Sequence, residues 1–208
     1  GLSPWWPVIG RNKKSVGLDL RTPEGQAIAK SPIAGADVVI ENFRPGAMEK
    51  WGLGYDVLSK DNPGLIMARI SGFGQTGPYS QRAGYGLIGE AMGGLRYVTG
   101  EPDRPPARAG ISIGDSLAAM HAVMGITMAL HHRANTGRGQ VIDAALYESV
   151  LGVMENLITE YDITGYVRER SGSVLPGIAP SNAYPCANGE MILIGGNGDN
   201  VYARLTEA

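Results

Sequence analysis

Apolar positions along this chain fall into short runs separated by helical stripes, and the longest stripe lies near the middle. Leu117, Met120, His121, Met124, Met128 and His131 recur at the spacing of one helical face. Ala118, Ala122, Gly125 and Ala129 form a second stripe of small residues, on which another backbone can approach closely. A short apolar segment and Gly114 lead into this helix with Asp115 at the seam, and Asn135-Thr136-Gly137-Arg138-Gly139 closes it with glycines. Asp115 has two readings. As a helix N-cap, its carboxylate accepts a first-turn N–H. As a carboxylate presented at the end of a strand, it stands where open α/β sheets place their ligands.

The flanking pattern supplies the rest of the fold. Residues 1–12 carry Trp5, Trp6 and two prolines without a period and read as a segment packed onto something else. Lys14 to Leu20 alternates and is predicted as a strand; Thr22 and Pro23 then supply a cap and a first helical residue, for a helix to about Lys30 that Pro32 ends early. Asp37 to Ile40 and Leu65 to Ile70 are nearly continuous apolar runs, as in a parallel sheet buried on both faces. Between them lie a loop at 41–46, two short helical pieces at 47–51 and 55–60, and the turn Asn62-Pro63-Gly64. The segment Ser71 to Gly86 holds five glycines, too many for a regular element. A single helix over Leu87 to Leu95, a Pro-rich loop at 100–108, a strand over Val141 to Leu146 and one long helix over Tyr147 to Thr164 follow. Ser171 to Pro180 reads as a flexible boundary, with a last strand at Met191 to Ile194 and a helix starting near the end. The order β-α-β-α implies an α/β fold: a Rossmann-like parallel sheet with helices on both faces in residues 1–170, then a linker and the beginning of a smaller domain in 171–208.

Composition narrows the function classes. Of 208 residues, 43% are hydrophobic and 18% charged, which fits a soluble globular chain with a real core. Eighteen basic against 20 acidic residues leave a formal charge of −2, with no global pull toward nucleic acid or an anionic membrane. No apolar run reads as long enough to span a bilayer. The single cysteine, Cys186, excludes an internal disulfide and fits a reducing, cytoplasmic setting, while a start at Gly1 leaves a lost leader open. Its surroundings give no reason to expect a reactive thiol. Three histidines, 121, 131 and 132, sit on the central helix without acidic or Cys partners at ligand spacing, so no metal site is expected.

Gly72-Phe73-Gly74-Gln75-Thr76-Gly77 matches the dinucleotide fingerprint as a bare pattern, but Pro78, Gly84 and Gly86 forbid the helix that must open within it, so it reads as a plain loop. Arg11, Lys13, Lys14, Arg21, Arg44, Lys50 and Arg82 recur at strand ends and loops; they read either as solvated charges or as partners for a ligand with several phosphates. Glu90, Asp143, Glu148 and Glu155 are further carboxylates near apolar elements.

Five segments in order, Arg11 to Leu20, Ala36 to Gly46, Ser71 to Pro78, Gly114-Asp115 and Thr136 to Gln140, resemble the class III CoA-transferases. That family includes formyl-CoA transferase, L-carnitine CoA-transferase and the α-methylacyl-CoA racemases. The resemblance covers essentially the whole chain. It implies an acyl-CoA site, with coenzyme A entering as the acyl-CoA substrate and no metal, beside a nucleophilic aspartate that matches Asp115. In the family mechanism the carboxylate attacks a donor thioester to give a mixed anhydride. CoA thiolate converts this to an aspartyl-CoA thioester, and an acceptor acid takes the CoA.

The family's CoA-contacting positions carry over to Leu18, Arg21, Asn42, Phe43, Arg44, Lys50, Arg82, Gly84 and Tyr85. The glycine loop that covers its active site has its counterpart at Gly172 to Gly177, where Val174, Leu175 and Pro176 replace glycines; that departure argues against oxalate or formate as substrates. The racemase branch carries His then Asp where this chain has Tyr85 and Gly86, so a transferase is favoured over a racemase or a CoA-binding module without chemistry. The resemblance further implies an interlocked homodimer, a first strand and CoA-binding turn preceding Gly1, and more of the second domain after Ala208.

Overall fold

The computed structural model describes residues 3–207. Its centre is a parallel sheet of three strands in the order β1 (Val38–Glu41), β2 (Ile66–Ser71) and β3 (Val141–Ala145). Glu41 pairs in register with Arg69, and Arg69 with Asp143, so these three side chains share one face of the sheet.

One face is covered by α2 (Pro23–Ala34), α3 (Ala47–Lys50) and α4 (Tyr55–Asp61), after a single turn α1 (Trp6–Ile9). Met48, Leu53, Leu58, Leu65, Met67 and Ala29 form its buried cluster. The Thr22 hydroxyl caps α2 by accepting the Gly25 N–H at 3.1 Å, with Pro23 in the first turn as its fixed φ favours. The helix runs through Pro32 to Ala34, farther than expected, because a proline this near the end removes only one hydrogen bond.

The other face is covered by α7 (Ile113–Thr136), 24 residues ending at Gly137 in the left-handed conformation. Its stripe of small residues lies inward, with Ala118, Ala122 and Ala129 buried. On its outer side Met120, Val123, Met124 and Met128 remain 48–70% exposed. Length and a mean hydropathy of 1.4 make α7 apolar enough to cross a membrane, which corrects the expectation from sequence; only two charged residues interrupt it, Asp115 and Arg133. In this fold its alanines pack on the sheet.

Other departures have local causes. Lys14 to Leu20 forms no strand, since alternation alone supplies no ladder partner; among the described residues β1 pairs with β2 only and is an edge. The helix expected over Leu87 to Leu95 is two, α5 (Gly86–Met92) and α6 (Leu95–Val98), parted at Gly94 with φ +94°. The long helix after β3 is also two, α8 (Leu146–Leu151) and α9 (Leu157–Thr164). The break lies at Glu155, whose φ is +55°, and Arg168 reaches it and Glu160 at 3.0 Å each. Apolar spacing runs through both pieces, so no pattern announced the break. Beyond the linker, β4 (Ser181–Pro185) and β5 (Met191–Gly195) pair antiparallel in a separate sheet, followed by α10 (Asp199–Thr206). The strand β4 ends in Pro and does not alternate, so it carries no strand signal in the sequence, and the β-α-β-α order does not continue to the end.

Candidate functional site

The parallel strands finish at Glu41, Ser71 and Ala145, and the segments that leave them meet at one edge. Ligands of open parallel sheets lie beyond this carboxyl edge. Two clefts open here. One, of about 370 Å³, is lined by Ile40, Glu41, Asn42, Ile70, Asp115, Ala119 and Leu146. Its neighbour, about 150 Å³, is bounded by Asn42, Phe43, Arg44, Ser71, Gly72, Arg82, Gly84 and Tyr85, among others. Asn42 belongs to both.

Asp115 is exposed and sits in the first turn of α7, three residues past the N-cap Ser112, so it is not the cap. The helix still acts on it, because the first turn carries the positive end of the helix dipole. Against its carboxylate lies Gly86 at the start of α5. A methyl group on Gly86 would collide with Asp115 Oδ2 and approach Cγ to 2.9 Å, so residue 86 must lack a side chain for this carboxylate to stand where it does. Gly114 also packs on the Gly86 carbonyl, at 3.0 Å for an added Cβ. The smaller cleft depends on another close crossing: Gly72 meets Gly84 so nearly that an added Cβ on either would lie 2.5 Å from the other's Cα. Gly72 of the fingerprint-like segment thus serves backbone contact, and no helix opens within it.

The basic and polar positions expected around a CoA ligand divide into two groups. Asn42, Phe43, Arg44, Arg82, Gly84 and Tyr85 come together around the smaller cleft. Phe43 stands edge-on to Trp51 at 4.9 Å between ring centres, and Arg82 lies 3.9 Å over the Tyr79 ring. Leu18, Arg21 and Lys50 line neither cleft. Arg21 instead forks onto Asp19, at 2.8 Å for both bonds, and that side-chain pairing lowers the Asp19 pKa to about 2. Lys50 is exposed at the end of α3. Neither Gly172 nor Gly177 lines the Asp115 cleft: Gly172 binds through its N–H to the Gly100 carbonyl at 3.0 Å and borders a third cleft with Leu95, Val153 and Leu157.

Sequence reasoning missed Arg69 and Glu41 beneath the clefts. Arg69, 8% exposed, donates from Nε to Glu41 Oε1 at 2.7 Å and from its two terminal nitrogens to Glu49 at 2.7 and 3.1 Å. Burial works to lower the Arg69 pKa, and the bonds from Glu49 and Glu41 outweigh it and leave it raised. Glu41, 4% exposed, spends its second oxygen on the Phe43 N–H at 2.7 Å. In the next strand Asp143 Oδ2 accepts the Gln75 N–H, also at 2.7 Å. A lone Arg inside the run Leu65 to Ile70 was the available signal, since a charge in a buried strand requires a partner. Among the described residues no group of three or more His, Cys, Asp or Glu is placed to hold a metal.

An α/β sheet with an exposed carboxylate at its carboxyl edge, beside a cleft framed by Arg44 and Arg82, defines a site of the ligand-binding type common to open α/β proteins. The sequence model of CoA-transferase family III matches residues 1–208, and the chain belongs to that family. It is 59% identical over 208 residues to succinyl-CoA–D-citramalate CoA-transferase of Chloroflexus aurantiacus, covering all of this chain and 52% of that protein. Over 201 residues it is 41% identical to succinate–glutarate CoA-transferase of Agrobacterium fabrum, covering 97% and 50%. A crystal structure of a CAIB/BAIF family protein from Brucella suis superposes with a TM-score of 0.83 at 40% identity, covering 94% of this chain and 51% of that one. The chain spans about half the length of the relatives it matches.

Proposed function

We propose that the protein is an acyl-CoA:carboxylate CoA-transferase with Asp115 as its nucleophile. The observation that carries this reading is the shared wall at Asn42: it joins the cleft of an exposed Asp115 to the cleft built from the family's CoA-contacting loop. A CoA whose phosphates meet Arg44 and Arg82 would set its thioester toward Asp115. The carboxylate oxygen attacks the thioester carbonyl, the C–S bond breaks, and a mixed anhydride and CoA thiolate result. Thiolate then attacks the aspartyl carbonyl, releasing the donor acid and leaving an aspartyl-CoA thioester. The acceptor carboxylate attacks in turn to form a new anhydride, and the thiolate returns to the acyl carbon, restoring Asp115. No net proton or electron is consumed.

Succinyl-CoA as donor and a short dicarboxylic acid as acceptor follow from the relatives, which are named for succinyl-CoA or succinate with citramalate or glutarate. Racemisation is disfavoured because Gly86 offers no acid or base, and Tyr85, 77% exposed, stands where that branch has its His. The active protein in this reading is a homodimer, and residues 1–170 and 171–208 belong to different domains. Exposed, unpaired Cys186 suits a reducing, cytoplasmic setting.

Full-length enzyme incubated with succinyl-CoA and measured by intact mass should gain an acyl or CoA adduct. In Asp115→Ala the adduct should vanish and transfer should fall by about 10³-fold or more. An adduct that persists in this variant sinks the assignment, and α-deuterium exchange without CoA transfer would favour the racemase.

A further inference from the structure

The sheet face at the carboxyl edge carries a cross-strand row, Glu41, Arg69 and Asp143, at adjacent register positions. Both outer carboxylates reach upward to a main-chain N–H of a loop: Glu41 to Phe43 in the loop after β1, and Asp143 to Gln75 in the loop after β2. Of the two, Glu41 lines the Asp115 cleft and holds the turn that walls the other. Its two oxygens are both engaged, one by the buried Arg69 and one by the Phe43 N–H, so the carboxylate has one seat and the turn is seated with it.

We propose that Glu41 is a positioning residue for acyl-CoA: anchored by Arg69, it sets the Asn42-Phe43-Arg44 turn in the shape that binds the ligand. This rests on the CoA-transferase reading above. Arg69 fixes the carboxylate plane because its Nε–H and its terminal nitrogens serve different partners, Glu41 and Glu49, and cannot rotate without losing both. A glutamine at 41 has one acceptor and one donor end. The guanidinium takes the oxygen, which turns the NH2 toward the Phe43 N–H, donor against donor. The turn is then released while Asp115, on another element, keeps its place.

The test uses full-length protein with Glu41→Gln, Glu41→Asp and, as a control, Glu49→Gln, which lies in the same ion network but lines neither cleft. Amide hydrogen exchange at Phe43, the Kd for CoA by calorimetry, and kcat and KM with succinyl-CoA are measured together. In Glu41→Gln, Phe43 exchange, Kd and KM should each rise roughly tenfold, the effect of losing one charge-assisted hydrogen bond, while kcat changes little. Glu41→Asp keeps the charge for Arg69 but is one methylene too short for both bonds, so it carries the same readout if the amide variant does not fold. Glu49→Gln should lower the melting temperature and leave Phe43 exchange and KM as in wild type. The proposal is overturned if both Glu41 variants keep wild-type exchange and KM, if kcat falls while KM holds, or if Glu49→Gln reproduces the Glu41 pattern. Wild-type enzyme that transfers CoA from no donor would instead refute the transferase reading, and Phe43 exchange and CoA Kd would still decide the role of Glu41.

Discussion

Asp115 carries the proposed chemistry, but Gly86 sets the room it has. Because a Cβ at residue 86 would strike Oδ2, Gly86→Ala should move the carboxylate by a fraction of an ångström to an ångström and reduce kcat about 100-fold, with CoA affinity unchanged. Stopped-flow adduct formation alongside CoA calorimetry checks this; equal losses in both would mean that the substitution had disturbed the whole edge. The position of Asp115 at the opening of a helix was legible in the sequence, and its nucleophilic role came only with the motifs around it. That it lies three residues inside the helix, free of the cap, was not legible, because cap geometry depends on backbone angles at Ser112. The contact with Gly86 was equally hidden, as 29 residues and a helix start separate the two.

At the scale of elements, the ion network ties β1, β2 and α3 together beneath the loops. The side-chain bond from Arg69 lowers the Glu49 pKa from its ordinary 4.5. A carboxylate lowered in the folded state contributes stability that is present above the unfolded value and lost as pH falls through the folded one, because the unfolded chain takes up the proton first. Denaturant titrations from about pH 5 down to about pH 3 should therefore show falling stability, with a shallower fall in Glu49→Gln. Since half of Glu49 faces solvent, the difference is small, about 1 kcal/mol or less. An identical slope in the variant would remove Glu49 from the account. Strands β1 to β3 and the central helix were readable because buried runs and alanine stripes are local patterns. Pairing of Glu41 with Arg69, 28 residues apart, arises only from the register of two strands. The helix breaks at Gly94 and Glu155 follow from what those turns pack against, which spacing alone does not encode.

For the whole molecule, exposed surface is the telling quantity. The chain exposes 14140 Å², whereas a compact monomer of 21.9 kDa exposes about 9,300 Å². The excess is larger than one partner's usual share of an obligate homodimer interface, and the bare methionine face of α7 lies within it. Full-length protein should sediment as a dimer, and Met124→Lys with Met128→Lys should shift it toward monomer or aggregate; a well-behaved wild-type monomer would end the homodimer proposal. The edge strand β1 adds a consequence for handling. With only β2 beside it, one row of its main-chain donors and acceptors is open, and Ile40 is 62% exposed. When residues 1–208 refold alone, that edge can pair with the same edge of another copy, and dilution limits the pairing. Recovery of soluble material should fall as protein concentration rises, followed by light scattering, and a proline at Val38, whose N–H faces the open side, should restore it.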